Sequence, residues 1–179
     1  MTFEATKLPG AYLIDLTRLA DDRGFFACSY HAVEFERHSV EPRIAQVNLS
    51  SNPKRGTLRG MHYQLAPRAE AKTIRVVRGA IYDVGIDLRP DSPTFRQWVG
   101  VELSARNLRA LHLPVGFAHG FLTLEDETDV LYQVSEYYSP EHYRGIRWND
   151  PEFAVEWPLG EPSVIAKRDA TYPDFSSAS

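Results

Sequence analysis

What most constrains this chain is a succession of short runs rich in β-branched and aromatic residues, cut apart by turn formers, with few helical periods among them. The runs are 43–50 (RIAQVNLS), 57–65 (TLRGMHYQL), 72–77 (KTIRVV), 80–89 (AIYDVGIDLR), 95–104 (FRQWVGVELS), 108–114 (LRALHLP), 120–124 (GFLTL) and 129–138 (DVLYQVSEYY). Between them stand Asn52-Pro53, Arg78-Gly79, Pro90 to Pro93, Ala105 to Asn107 and Pro114 to Gly116. These residue types favour turns, because proline fixes φ and glycine and asparagine tolerate a left-handed backbone. Many short strands without alternating helices predict an all-β sandwich or closed barrel. One two-turn helix is expected over 31–38 (HAVEFERH), with Ser29 as its N-cap.

Composition narrows the function classes. The 179 residues are the size of one ordinary domain, and 43% hydrophobic with 25% charged residues is ordinary for a globular chain. One domain over 1–179 is therefore expected, with the serine-rich tail 176–179 fraying. A net charge of −4 disfavours a nucleic-acid binder. The single cysteine, Cys28, allows no internal disulfide, and no C-x-x-C zinc pattern is present. No run approaches the roughly 20 apolar residues of a membrane span, and the start MTFEATKLPG lacks the order of a signal peptide. A cytoplasmic protein with no membrane and no nucleic-acid partner is the expectation.

Alternation places polar groups inside apolar strands. In 57–65, Leu58, Gly60, His62 and Gln64 share one face by parity, and Arg59, Met61, Tyr63 and Leu65 the other. Lys72 shares a face with Ile74 and Val76, and Tyr132 shares one with Val130 and Val134. If these faces point inward, the barrel holds a polar pocket, because an unpartnered buried polar group costs roughly 1–3 kcal/mol. His62 is the natural general base, since imidazole titrates nearest neutrality. A strand histidine is more often a core or surface group bonded to a carbonyl, but Gln46, Asn48, Arg55, Arg59 and Lys72 lie on neighbouring runs. His119, in GFAHGF, is a second imidazole. A catalytic metal wants three or four ligands. Gln64 stands where a cupin would place another histidine, so no metal is expected. Asp169 reads as a histidine-orienting carboxylate or as a solvated surface charge, and Tyr132 as a proton donor or as a barrel aromatic. Cys28 reads as a small buried hydrophobe rather than a nucleophile. No phosphate loop, dinucleotide fingerprint or nucleophile elbow occurs.

The strings DDRGFFACSY (21–30), QVNLS (46–50), RGTLRGMHYQ (55–64), AKTIRVVRGAIYDVGIDLRPDSPTF (71–95), LHLPVGFAHGF (111–121), YYSP (137–140), WNDP (148–151), EWP (156–158) and AKRD (166–169) together resemble the dTDP-4-dehydrorhamnose 3,5-epimerases, the RmlC-type cupins. The resemblance implies a jelly-roll (cupin-like) β-barrel with short peripheral helices, a homodimer, no metal and no cofactor. The implied substrate is a nucleotide-diphosphate-linked 4-keto-6-deoxy sugar, epimerised through an enolate. His62 matches the general base, Asp169 its dyad partner, Tyr132 the proton donor and Lys72 the cation beside the enolate oxygen. His119 matches a sugar contact. Arg23, Phe26, Gln46, Asn48, Arg59, Tyr138 and Arg168 fall at substrate-binding positions.

Two positions depart from the pattern. Cys28 and Tyr143 stand where the family carries acidic nucleotide contacts, so the nucleotide or sugar is open to drift while the proton-transfer set is intact. The expected substrate is dTDP-4-dehydro-6-deoxyglucose, inverted at C3, C5 or both; a C3-only or C5-only epimerase of a different keto sugar, for example a GDP-linked one, a 3,4-ketoisomerase, a silent sugar-binding module and a metal-dependent cupin are the alternatives. Strand parity sets Arg59 and His62 on opposite faces, yet the family uses both in one site, which predicts a bulge at Gly60.

Overall fold

The computed structural model describes residues 1–175, and the tail 176–179, expected to fray, lies outside the described residues. In chain order the strands are β1 (Thr2–Ala5), β2 (Tyr12–Asp15), β3 (Leu19–Asp21), β4 (Gly24–Phe26), β5 (Gln46–Asn52), β6 (Thr57–Gln64), β7 (Lys72–Arg78), β8 (Ala80–Asp87), β9 (Trp98–Ser104), β10 (Ala110–Leu113), β11 (Phe117–Thr123), β12 (Thr128–Val134), β13 (Tyr143–Gly145) and β14 (Val164–Ile165). The helices are α1 (Ala32–Arg37) and α2 (Lys167–Ala170). One sheet runs β1-β2-β10-β7-β12-β5 and the other β13-β6-β11-β8-β9, with β14 parallel on β6 and a separate β3–β4 hairpin. From β5 to β12 the chain crosses repeatedly between the two sheets, as in a jelly roll.

The strand residues explain why the sheets close on each other. Ile74, Val76, Leu111, Leu113 and Val130 of the first sheet meet Ile81, Leu103, Phe117 and Phe121 of the second in one buried cluster. The second sheet is covered on its outer face too. There Leu58, Met61, Val84, Ile86, Ala118 and Leu122 pack under Ile146, Trp148, Phe153 and Trp157 of the C-terminal segment. A sheet covered on both sides reads as a nearly continuous apolar run, which is the character of β8. By contrast β5 alternates, and its outward Val47 and Leu49 are exposed.

The eight expected runs all become strands, with shifted ends. The run expected from 95 starts at Trp98, because residues around Thr94 to Gln97 form a turn. The run expected from 120 starts at Phe117, immediately after the left-handed Gly116. The helix is Ala32–Arg37, and Ser29 is not its cap. His31 takes the N-cap position without a side-chain hydrogen bond. Burial of Phe35 against Ile14, Val40 and Ala110 holds the helix to the sheet instead. Strands β1 to β4, β13 and β14 escape the reading because they are short, and all of β3 and β4 is exposed, so no apolar period marks them. Cys28, read as a buried hydrophobe, is exposed beside that hairpin.

The bulge at Gly60 is present. His119 pairs with His62 and Phe121 with Arg59, so two residues of β6 oppose the single Gly120 of β11. The extra residue resets parity. Leu58, Met61 and Tyr63 turn to the outer cluster, while Arg59 and His62 both line the interior cavity. Leu58 therefore does not share a face with His62, as strict alternation predicts. Gly60 has φ of +123°, and a Cβ there lands 2.5 Å from the Gly120 Cα and 2.7 Å from the His119 carbonyl.

Among the described residues no helix is long and apolar enough to cross a membrane. Two stability predictions follow from this architecture. Gly60→Ala is expected to lower unfolding stability by about 3 kcal/mol or more through clash with backbone. Gly24→Ala shares a left-handed backbone, with φ of +122°, but meets nothing within 4 Å. Its cost is expected to be about 1 kcal/mol, and urea unfolding of the two variants compares them. His112 is buried against Phe35, with Thr73 Oγ1 at 2.9 Å from its Nδ1 and with Glu41 and Arg43 nearby. Burial holds it down at about 4, below its ordinary 6.5. The unfolded chain therefore binds this proton first, and stability present above pH 6.5 is lost as pH falls toward 4, by roughly 3 kcal/mol in full. Unfolding measured across that range is expected to show a shallower slope in His112→Asn.

Candidate active site

A cavity of about 740 Å³ opens at the polar end of the barrel interior. Its wall draws on β5, β6, β7, β11 and β12, on the segment around Tyr138 and Tyr143, and on α2. His62, Lys72, Tyr132 and Asp169 all line it, as do Gln46, Asn48, Arg59, His119, Tyr138, Tyr143 and Arg168. The imidazole of His62 and the phenol of Tyr132 thus share one cavity, coming from the two opposed sheets.

The His62 ring lies 2.9 Å through Nε2 from Asp169 Oδ1. An ionised carboxylate only accepts, so Nε2 carries the hydrogen and Nδ1 is left as the basic nitrogen. The other carboxylate oxygen accepts the backbone N–H of Gly60 at 3.1 Å. Asp169 is 3% exposed, not the solvated charge that its basic neighbours suggest. Burial pushes its pKa up, but the bonds from His62 and Gly60 and the charge of Arg168 outweigh that, and the carboxyl sits below its ordinary range. His62 is itself held below its ordinary value, chiefly by burial and against the pull of Asp169. It is therefore a neutral base at neutral pH.

Across the cavity, burial raises the Tyr132 phenol, with Arg59 opposing and Glu70 adding. The Lys72 ammonium donates to the His62 carbonyl at 3.1 Å and stands 3.1 Å from Glu70. Arg59 Nε donates to Asn52 Oδ1 at 2.7 Å. Tyr138 N–H donates to Gln46 Oε1 at 2.7 Å, tying its segment to β5. The Arg168 guanidinium lies 5.0 Å over the Tyr143 ring, which in turn is 5.2 Å from His62. Burial raises the Tyr143 phenol as well, with Arg168 opposing, so it too stays neutral.

A second histidine–carboxylate pair lies deeper. His119 Nε2 is 2.7 Å from Asp83 Oδ1, and His119 is the cross-strand neighbour of His62. Asp83 is wholly buried, and its Oδ2 has no partner among the described residues. Burial raises its pKa, against the charges of His119 and Lys72. Asp83 and Glu70 are the two site residues missed in the sequence. Asp83 is the one acid in the otherwise apolar run 80–86, and Glu70 stands two residues before Lys72, on the same parity.

Three expected contacts lie elsewhere. Arg23 is exposed and paired with Asp21 at 2.5 Å, Phe26 is 69% exposed, and Cys28 is exposed. All sit on or beside the β3–β4 hairpin, away from this chain's cavity. Gln64 does not face a ligand. Its amide is spent on the carbonyls of Arg68 and Tyr137 and on the Ser139 N–H. Among the described residues no group of three or more histidine, cysteine or acidic side chains is placed to hold a metal.

Comparison with known proteins agrees with this geometry. The family model described as dTDP-4-dehydrorhamnose 3,5-epimerase matches residues 5–177. The chain is 41% identical to the dTDP-4-dehydrorhamnose 3,5-epimerase of Pseudomonas aeruginosa over 177 residues, 98% of this chain and 97% of that one. The crystal structure of the Bacillus anthracis enzyme of the same name, with TDP and PPi bound, superposes with a TM-score of 0.93 at 45% identity, covering 97% of this chain and 99% of that one. The Legionella pneumophila epimerase in complex with dTDP-4-keto-L-rhamnose gives 0.90 at 38% identity, covering 96% and 90%. The chain belongs to the dTDP-4-dehydrorhamnose 3,5-epimerase family.

Proposed function

We propose that this chain is a metal-independent epimerase of dTDP-4-dehydro-6-deoxyglucose that inverts C3 and C5 through an enolate. The observation that carries the reading is the carboxylate-held imidazole of His62 facing the same cavity as the Tyr132 phenol from the opposite sheet. The C4 ketone acidifies the hydrogens on C3 and C5. His62 takes one as a proton, the electron pair moves to O4, and the Lys72 ammonium meets the charge that develops there. Tyr132 then returns a proton to the other face of the carbon. The resulting imidazolium and phenolate regain their starting states by exchange with solvent. A positioned acid or base contributes about 10²–10⁴ in rate, and an oxyanion donor about 10²–10³. No electron leaves the sugar, so the chemistry calls for no redox carrier. Arg59 and Arg168 supply the cations for the diphosphate, whose oxygens suit guanidinium forks. We place the reaction in the cytoplasm.

The active form we propose is a homodimer. Leu19, Phe25 and Phe26 of the β3–β4 hairpin, and Val47 and Leu49 on the outer face of the sheet-edge strand β5, are all exposed. An open edge carrying apolar side chains favours pairing with another chain. A second copy accounts for the placement of Arg23, Phe26 and Cys28, which would then reach the partner's cavity.

In D₂O the wild type is expected to place deuterium at both C3 and C5 of dTDP-4-dehydro-6-deoxyglucose, and to leave the GDP-linked sugar nearly untouched. His62→Asn should lose exchange by about 10²–10⁴ with nucleotide binding kept. Tyr132→Phe should still exchange, through His62, yet form no inverted product; normal inversion in that variant refutes the two-face assignment. The acid limb of kcat/KM should lie below about pH 6.5, since burial depresses His62. A product with its carbonyl moved to C3 identifies a ketoisomerase instead. Analytical ultracentrifugation should give a dimer, and Val47→Arg, at an exposed position outside the cavity lining, should yield monomer with a raised KM. A fully active monomer contradicts the dimer assignment.

A further inference from the structure

Glu70 lines the same cavity, and none of the proton transfers above uses it. It lies in the segment entering β7, two residues ahead of Lys72. Both side chains are only 9% exposed, and the carboxylate stands 3.1 Å from the Lys72 Nζ. Among the described residues Lys72 is the one cation within ion-pair distance of it. Burying a carboxylate at a reaction centre costs stability unless it is paired, and here the pair includes the group that must face the enolate oxygen.

An ammonium has three N–H donors. The His62 carbonyl accepts one, and the attraction of Glu70 fixes the head group on a second side. A donor is left for an acceptor in the cavity. We infer that Glu70 is a positioning residue that fixes the Lys72 ammonium in the cavity and, as a negative charge sharing that cavity with Tyr132, holds the proton on the phenol until it is delivered to carbon, and so sets the alkaline limit of the reaction. A negative charge beside an acid opposes loss of its proton. The charge of Glu70 acts on Tyr132 in that sense, adding to burial and opposed by Arg59. The other charged or titratable groups facing this cluster are Arg59 and His62 from β6, Asp83 from β8, His119 from β11, Tyr138, Tyr143 from β13, and Arg168 and Asp169 from α2. Asp169 is bound to His62 and Asp83 to His119. Glu70 is the carboxylate of the set that has no histidine to hold.

This inference rests on the epimerase reading, and its test separates the two. The pH dependence of kcat for hydrogen exchange is measured for wild type, Glu70→Gln and Glu70→Asp. In parallel, the Tyr132 phenol is titrated in the substrate-free proteins by NMR of ¹³C-labelled tyrosine, its signal identified by loss in Tyr132→Phe. Glu70→Gln should bring the alkaline limb and the Tyr132 midpoint down by about one pH unit, with KM within about twofold. Glu70→Asp should retain wild-type values for both. Should the glutamine variant not fold, Glu70→Asn is the second neutral replacement. An unmoved alkaline limb and an unmoved Tyr132 midpoint in the neutral variant overturn the inference, as does an equal shift in Glu70→Asp. A Tyr132 midpoint that moves in a wild-type background without exchange activity sinks the epimerase reading and upholds the effect of Glu70 on the phenol.

Discussion

The rest of the site depends on how β6 accommodates one more residue than its neighbour at Gly60 and Met61. A regular strand sends alternate side chains to opposite faces, and one of Arg59 and His62 would then be lost to the outer cluster. The bulge keeps both in the cavity and sends Met61 outward against Gly120. The same irregularity frees the Gly60 N–H from the ladder and gives it to Asp169. The carboxylate that orients the His62 ring is thus itself oriented by the backbone turn that presents that ring. Only glycine fits there, because its neighbour across the ladder is backbone and not a side chain able to move aside.

The barrel interior is divided along its strands. On β7, Lys72 lies in the cavity while Ile74 and Val76 lie in the core, and on β12 Tyr132 borders both while Val130 is core. The apolar end supplies the burial that holds two sheets together, at about 25 cal/mol per Å². The polar end exists because its titratable groups are paired: Lys72 with Glu70, His62 with Asp169, His119 with Asp83. Such a set is a hazard to stability if any member is missing. It also suits low-dielectric proton transfer at His62, whose charged form has the Asp169 carboxylate beside it.

The all-β barrel or sandwich was legible in the strand runs, whereas the jelly roll and the site positions came from the family resemblance of the motifs. Eight strand runs carried their β-branched period, and RGMHYQ placed a histidine, an arginine and a glycine so close that parity and chemistry conflicted. That conflict located the bulge. What stayed hidden depends on partners far along the chain. Asp169 was placed by the family resemblance alone, since AKRD by itself reads as a solvated patch until α2 brings it under β6, more than a hundred residues earlier. Glu70 and Asp83 carry no motif of their own, and their meaning comes from which cations and histidines stand opposite. The exposed β3–β4 hairpin has no core to announce it, and Cys28 beside it was misread as buried for the same reason.

The two histidine–carboxylate pairs look alike in composition, yet their surroundings drive the carboxyls in opposite directions. Asp169 accepts from His62 and from a backbone N–H and stands beside Arg168, which keeps it ionised and lets it stabilise a positive imidazole. Among the described residues Asp83 has a single hydrogen-bond partner and one oxygen with none, and it is wholly buried, so burial favours its neutral form. A base must gain a proton and lose it again in each turnover, and that is easiest where a fixed negative charge answers the positive one. His62 has that answer. His119 is paired with a carboxyl that resists ionisation, which suits a group that orients or donates a hydrogen bond more than one that abstracts a proton from carbon. The difference between the two adjacent imidazoles therefore follows from the donors around each carboxylate.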